Sequence, residues 1–328
     1  MIQRLQFCVG EGFDPYLNLA VEQYLLEHVE DGCCVLYLWQ NQNTVVIGRN
    51  QNAWKECRTT LLTQEGGHLA RRLSGGGAVF HDVGNLNFTF LLSADDYDVS
   101  RQLSVILEAC RSLGIHAEAS GRNDLLADGR KFSGNAFYQS GGHAYHHGTL
   151  LVDADTGRMG RYLCPSKAKL AAKGVDSVRS RVVNLRELCP GLTIHMMQEA
   201  LKDAFGHIYG LPLDPIHVNN LDRQAIANIR ERNKSWEWIY GRSLPFSFSC
   251  QGQFAWGNLQ MKLNVEDGLI QAAQVYSDAM DWEIPPRIEQ ALQGCRFTMD
   301  ALQQQLEEEL GQGALLTDLC QLLSDQGI

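Results

Sequence analysis

Residues 71–90 read Arg-Arg-Leu-Ser-Gly-Gly-Gly-Ala-Val-Phe-His-Asp-Val-Gly-Asn-Leu-Asn-Phe-Thr-Phe. The three consecutive glycines, Gly75, Gly76 and Gly77, lose more backbone entropy on folding than other residues and bring no side chain to bury, so the fold must compensate for them. One outcome is a glycine-rich hairpin or bulge that holds no ligand. The other is bare backbone lying against an anion, with N–H groups turned toward it and Arg71 or Arg72 close by. A dinucleotide fingerprint needs its third glycine where Phe80 stands. A P-loop needs Gly-Lys-Ser/Thr where His81 and Asp82 follow, so neither pattern fits.

A chain of 328 residues with 45% hydrophobic content can bury a substantial core and is expected to form two domains. Its net charge of −10 argues against nonspecific binding to nucleic acid or to anionic membrane. Against that balance, Lys167, Lys169, Lys173, Arg179, Arg181 and Arg186 form a basic segment interrupted only by Asp176. The ten cysteines are scattered without a Cys-x-x-Cys pair, as reduced thiols would be. No apolar run suggests a leader or a membrane span, and the expected location is the cytoplasm.

Asp14-Pro15 reads as an N-cap and first helical position, followed by Leu17, Ala20, Val21, Tyr24 and Leu25 at helical spacing. Val35 to Trp39 and Thr44 to Gly48 read as a β-hairpin turning at Gln40-Asn41-Gln42-Asn43. Phe88 to Leu92 predicts a strand, and Val105, Ile106, Ala109 and Leu113 a helix ending at Gly114. Lys131 to Tyr138 and Tyr145 to Val152 flank a Ser140-Gly141-Gly142 turn, which would bring their polar residues to one sheet surface. A further helix runs from about Ile194 to Ile208. Beyond Leu244-Pro245 come strands near 246–256, 259–265 and up to Tyr276, then two leucine-rich helices, a small β-then-α domain. The expected division is residues 1–244 and 245–328.

Four polar clusters exceed what folding requires. They are Arg72 to Gly77 with His81, Asp82, Gly84 and Asn85; Gly121-Arg122-Asn123-Asp124; Gly129 to Ala136; and His146-His147-Gly148-Thr149-Leu150-Leu151. Backbone N–H groups, arginines and a lysine can neutralise phosphate, Asp124 could hold Mg²⁺ or a ribose, and Thr149 could fix a small acid. No Gly-x-Ser-x-Gly elbow is present, and no cysteine lies between Arg111 and Leu163, so a covalent catalyst is not evident. A zinc site built from His143, His146 and His147 lacks a fourth ligand at matching spacing, and adjacent strand residues point to opposite faces.

Arg-Arg-x-Ser-Gly-Gly-Gly-Ala-Val-x-His-Asp-x-Gly-Asn, then Gly-Arg-Asn-Asp, Arg-Lys-x-Ser-Gly-x-Ala and His-His-Gly-Thr-Leu-Leu, in that order and spacing, resemble the two-domain bacterial lipoate–protein ligases. The resemblance extends over the whole chain, through Trp54-Lys55-Glu56-Cys57, the stretch from Lys169 to Val182 and Ser235-Trp236-Glu237-Trp238. It implies an α/β (α+β) catalytic domain like that of class II aminoacyl-tRNA synthetases and biotin ligases, with mixed β-sheets flanked by helices, and a small α+β C-terminal domain.

The implied reaction joins lipoate and ATP into lipoyl-AMP and pyrophosphate, then passes the acyl group to a lysine of a lipoyl domain. Carriers are E2 subunits of 2-oxoacid dehydrogenases and the glycine cleavage H protein. ATP and Mg²⁺ take part, and the resemblance implies no tightly bound organic cofactor, no nucleic acid, no membrane and a monomer. By resemblance Lys131 is the catalytic cation. Arg72, Ser74, Gly75, Gly76, Gly77, Ala78, Phe80, His81, Asn85, Asn123, Asp124, His147 and Thr149 bind the acid or the adenylate, with Asp124 the Mg²⁺ position. Lys173, Gly174, Ser177, Arg179 and Arg181 belong to a loop that closes over the adenylate, and residues 245–328 take a binding and gating role.

Other readings stay open. A cysteine-dependent octanoyl or lipoyl transferase of the same fold places its nucleophile just upstream of Gly121-Arg122-Asn123-Asp124, where this chain has Glu118-Ala119-Ser120 and Cys110 farther back. A biotin ligase carries a different glycine-rich sequence. A non-catalytic lipoate sensor or carrier-binding protein is the remaining class.

Overall fold

In the computed structural model the described residues are 1–121, 123–164, 182–240, 248–266 and 268–326. The elements in chain order are β1 (Arg4–Val9), α1 (Pro15–His28), β2 (Cys33–Trp39), β3 (Thr44–Ile47), α2 (Ala53–Glu56), α3 (Thr59–Gln64), β4 (His68–Arg71), β5 (Val79–His81), β6 (Asn85–Ser93) and α4 (Val99–Ser112). There follow β7 (Ala117–Ser120), β8 (Asp124–Ala127), β9 (Arg130–Ser140), β10 (His143–Leu151), α5 (Thr156–Tyr162), α6 (Leu185–Leu188), α7 (Ile194–Tyr209), β11 (Leu213–Ile216), α8 (Arg223–Lys234) and α9 (Trp236–Tyr240). The chain forms two compact units, one of Met1–Val46, Glu56–Ala70 and Val79–Ser235, the other of Ile47–Lys55, Arg71–Ala78 and Trp236–Ile328.

The first unit is built on a mixed eight-stranded sheet in the order β11-β1-β2-β6-β10-β9-β8-β7. β1 runs parallel to both of its neighbours, and the remaining pairs are antiparallel. Leu36, Leu38, Phe88 and Phe90 on one face join Val105 and Ile106 of α4 and Met197, Leu201 and Phe205 of α7 in a closed core. α1 starts where the Asp14 carboxylate accepts the Tyr16 N–H at 2.9 Å with Pro15 at the first turn, a cap that contributes about 1 kcal/mol. α8 is tied to it by ion pairing of Arg230 with Asp14 at 2.8 Å and by an Arg232–Gln23 hydrogen bond. The β9–β10 hairpin closes through Gly141 and Gly142 at φ 59° and 81°, a turn that needs left-handed backbone at both positions.

The expected hairpin of residues 35–48 does not form. β2 pairs with β1 and β6 in the large sheet, whereas β3 pairs with β5, Thr44 facing His81 and Val46 facing Val79, in a separate sheet of order β4-β3-β5. All seven residues of β2 are buried, so it needs partners on both edges and cover on both faces. The chain leaves it through buried Asn41, which accepts from Asn18 at 3.0 Å, and through Asn43 at φ 45°. Short-range β-propensity contains no information about which sheet a strand joins.

The second unit has an antiparallel sheet of β12 (Phe248–Phe254), β13 (Gly257–Glu266) and β14 (Leu269–Ser277) with α10 (Ile284–Leu292), α11 (Met299–Leu310) and α12 (Ala314–Ser324). Met261, Leu263, Ile288, Leu302, Leu306, Leu319 and Leu323 form its own core. The three strands and the two leucine-rich helices expected beyond residue 245 correspond to β12, β13, β14, α11 and α12, and α10 adds a helix that the leucine spacing had not marked. No helix among the described residues is long and apolar enough to cross a membrane.

Candidate active site

A β-bulge sets the polar face of the first unit. Leu125 opposes Ser133 and Leu126 opposes Lys131, so Phe132 is the extra residue on β9 and drops into the core. In an unbroken strand Lys131 and Gly134, three apart, would point to opposite faces. Across the bulge they share one: a Cβ built on Gly134 would meet Lys131 Nζ at 3.1 Å and Thr149 Oγ1 at 3.9 Å. The Gly134 N–H donates to Thr149 Oγ1 at 3.3 Å, and Lys131 Nζ lies 2.6 Å from Oδ1 of Asp124, itself paired with Gly134 on β8. Lys131 and Asp124 are 37% and 36% exposed, so a ligand can reach both.

Farther along the same face the lining becomes aromatic and buried. His147 Nδ1 lies 2.8 Å from Glu22 Oε1, and the same oxygen accepts from Thr89 Oγ1 at 2.7 Å. The Trp39 indole N–H donates to Thr89 Oγ1 at 3.1 Å, and the Tyr145 ring packs against His147 in a tilted contact with centroids 4.6 Å apart. Glu22 is 2% exposed and was not among the residues singled out from the sequence. The signal for it is the i, i+4 pair Asn18 and Glu22 on α1, both buried because the helix lies between sheet and α8.

The polar residues of β9 and β10 do not all stand on one surface, as the sequence suggested. Gly134 and Thr149 share a face with His147, which reaches Glu22 of α1, whereas Asn135 and His146 face the core. His146 Nε2 contacts Asn135 Oδ1 at 2.8 Å and its Nδ1 contacts the Gln102 side chain at 3.1 Å. Burial, with His147 adding to it, pushes the His146 imidazole down to about 3, so the ring is neutral. Asn123 and Asn135 are clamped together: the Asn135 N–H and Nδ2 both donate to the Asn123 carbonyl at 2.8 and 3.0 Å, and Asn123 Nδ2 donates back to the Asn135 carbonyl at 3.1 Å. The histidines of the His146-His147 pair therefore serve two faces.

Other anticipated residues of this unit are built in firmly. Phe80 packs on Tyr162 at 5.4 Å, with Arg158 5.8 Å from its ring. His81 Nδ1 contacts Asn41 Nδ2 at 3.2 Å, and Asn85 donates to Asn87 at 3.0 Å. Asp82 accepts from the N–H groups of Gly84 and Asp155 at 2.9 and 2.7 Å, joining β5 to the exit from β10.

The glycine run and the basic pair belong to the second unit. The Arg71 guanidinium donates to the carbonyls of Gly48, Arg49, Gln51, Trp238 and Ile239, and Trp238 Nε1 returns a bond to the Arg71 carbonyl. Arg72 curls over its own loop, donating to Ser74 Oγ at 3.0 Å and to the carbonyls of Gly75 and Gly77, each at 2.7 Å. A Cβ at Gly75 would stand 2.2 Å from the Ala279 carbonyl oxygen, and Gly76 takes φ 85° while donating to that oxygen at 2.9 Å. A Cβ at Gly77 would meet nothing within 4 Å. Two of the three glycines thus have an internal reason in this conformation, which sequence reasoning about ligands had not supplied. Lys173, Gly174, Ser177, Arg179 and Arg181 lie outside the described residues.

A model of the lipoyl protein ligase A/B catalytic domain matches residues 14–206, and one of the bacterial lipoate protein ligase C-terminus matches residues 243–323. The chain belongs to the lipoyl protein ligase A/B family. Among solved structures, P. falciparum LipL1 in complex with lipoate is 27% identical with a TM-score of 0.82, over 93% of this chain and 94% of that one. The bipartite archaeal lipoate protein ligase of Thermoplasma acidophilum, described with its E2 lipoyl domain, is 25% identical with a TM-score of 0.66, over 76% of this chain and 100% of that one. A lipoate-protein ligase A bound with ATP shares the fold at 24% identity and a TM-score of 0.64, over 74% of this chain and 99% of that one.

Proposed function

We propose that the protein is a lipoate–protein ligase that joins lipoate and ATP into lipoyl-AMP and transfers the lipoyl group to a lysine of lipoyl domains in E2 subunits and the glycine cleavage H protein. The observation that carries this reading is the Lys131 ammonium held over Gly134 beside Asp124 and Thr149, at the mouth of a face lined by Trp39, Tyr145 and His147. In the first half-reaction a carboxylate oxygen attacks the α-phosphorus and pyrophosphate leaves, so two anions meet and charge gathers on the phosphate oxygens. Lys131 is the compact cation placed for that charge. In the second half-reaction the carrier amine attacks the acyl carbon, the acyl C–O bond breaks so that AMP leaves with the bridging anhydride oxygen, and the amine loses a proton.

Asp124 and Asn123 suit a Mg²⁺–nucleotide, since Mg²⁺ takes one or two carboxylates and completes its shell with phosphate and water. When bound, that ion would neutralise phosphate charge. Arg72, Ser74, Gly75, Gly76, Gly77 and Ala78 are assigned to the adenylate by resemblance, as are Phe80, His81 and Asn85, with Thr149 near the acid and His147 beside it. Residues 245–328 are assigned the binding and gating role. The protein is assigned to the cytoplasm.

The transferase reading requires an activated thiol. Cys110 is fully buried in α4, and burial pushes its thiol up to about 12, the opposite of activation. The deciding experiment supplies lipoate, octanoate and biotin together with Mg-ATP to the enzyme and a purified lipoyl domain. A lipoyl mass gain that needs ATP, with pyrophosphate released when the carrier is omitted, supports the ligase. Acyl transfer from octanoyl carrier protein without ATP would replace it with the transferase.

A further inference from the structure

His146 packs among the rings of Phe88, Phe90 and Phe137, with centroids 5.0 to 6.0 Å away, and is fully buried on the sheet face opposite Lys131. A hydrocarbon ring would fill that space without the desolvation cost of two ring nitrogens. What the imidazole adds is a direction. The Asn123 carbonyl accepts from Asn135 Nδ2, so Asn135 must present Oδ1 to His146, and the ring must carry its proton on Nε2. Nδ1 is then an acceptor. Turning over the Gln102 amide, whose Nε2 has no partner among the described residues, gives that nitrogen the hydrogen bond it needs.

We propose that His146 is a positioning residue of the nucleotide end of the site: through Asn135 it locks the Asn123–Asp124 step from which the Asp124 carboxylate meets Lys131. This rests on the ligase reading above for its consequence, though not for its geometry. The Nε2–H sets which way the Asn135 amide points, that amide grips Asn123 with a second bond to one carbonyl, and Asp124 follows as the first residue of β8. Gly148 completes the device, because a Cβ there would stand 2.9 Å from Asn135 Oδ1 and 2.6 Å from the Phe88 ring. In the motif His146-His147-Gly148-Thr149 the first residue orients, the second lines the aromatic end, the third makes room and the fourth faces Lys131.

The test compares His146→Phe, which keeps the ring and removes both hydrogen bonds, with His146→Gln, which can donate to Asn135 and accept from Gln102. Backbone hydrogen exchange over residues 120–125 is read without ligand, and Mg-ATP and lipoate affinities are read separately. H146F should speed exchange in that segment and weaken Mg-ATP by about tenfold, the order of one neutral hydrogen bond passed on to the Asp124 end, with lipoate affinity unchanged; H146Q should restore both. Unchanged exchange in H146F, or equal weakening of both ligands, overturns the proposal. If H146F fails to fold, Gln102→Met loosens the other side of the ring and is judged by the same two readouts. A wild-type protein that forms no lipoyl-adenylate while H146F still speeds exchange refutes the ligase reading and leaves the positioning role standing.

Discussion

Lys131 Nζ and Asp124 Oδ1 sit 2.6 Å apart on the face that the Phe132 bulge gives Lys131 in common with Gly134. Both side chains are more than a third exposed, and pairs of that kind contribute little to folding because solvent screens them. Their chemistry lies in availability: each can exchange its partner for an anion or a cation carried by a ligand.

Lys131→Ala is therefore expected to reduce lipoate-dependent pyrophosphate release by at least about a hundredfold while leaving the thermal midpoint nearly unchanged. Near-normal turnover would remove Lys131 from its assigned role. Asp124→Asn should weaken Mg-ATP and leave lipoate binding intact.

Gly134→Ala puts a methyl 3.1 Å from Lys131 Nζ and 3.3 Å from its Cε. The obstruction is the end of a flexible side chain, so the fold should tolerate it and adenylation should fall by roughly tenfold or more as the ammonium is displaced. Gly148→Ala meets a packed ring instead, and should cost about 1–3 kcal/mol in urea unfolding. Comparable effects of the two substitutions on stability would contradict this distinction.

Cys110→Ser should leave ATP-dependent lipoylation intact and lower stability by about 1 kcal/mol, since it buries a hydroxyl in place of a thiol among α4 core residues. Loss of transfer with a normal melting curve would restore the thioester mechanism.

His146 also gives stability a pH dependence. Its proton affinity is pushed from 6.5 down to about 3, so the unfolded chain takes up a proton as the pH falls below 6.5 and the folded chain does not until near 3. The contribution is fully present above 6.5 and is lost on acidification, with a single group accounting for about 1 kcal/mol between pH 7 and 5.5. The unfolding free energy from urea titrations should fall between pH 7 and 5.5 by that much more in wild type than in H146F; equal changes would show that His146 titrates normally.

Much of this was readable along the chain because it depends on local pattern. The Asp14-Pro15 cap, the Gly141-Gly142 turn and the leucine spacing at Leu302 and Leu306 each specify an element by near-neighbour physics, and the order of the four polar motifs pointed to the family that the domain matches then showed. Tertiary structure decided where those elements and side chains go. It sent β3 to a different sheet from β2, buried Glu22 against His147, turned His146 away from its neighbour, and placed the Ala279 carbonyl against Gly75 and Gly76. Each of these depends on a partner far away in sequence. Periodicity reports only which face of its own element a residue occupies, and even that fails at Phe132, where one extra residue reverses the alternation and brings Lys131 to Asp124.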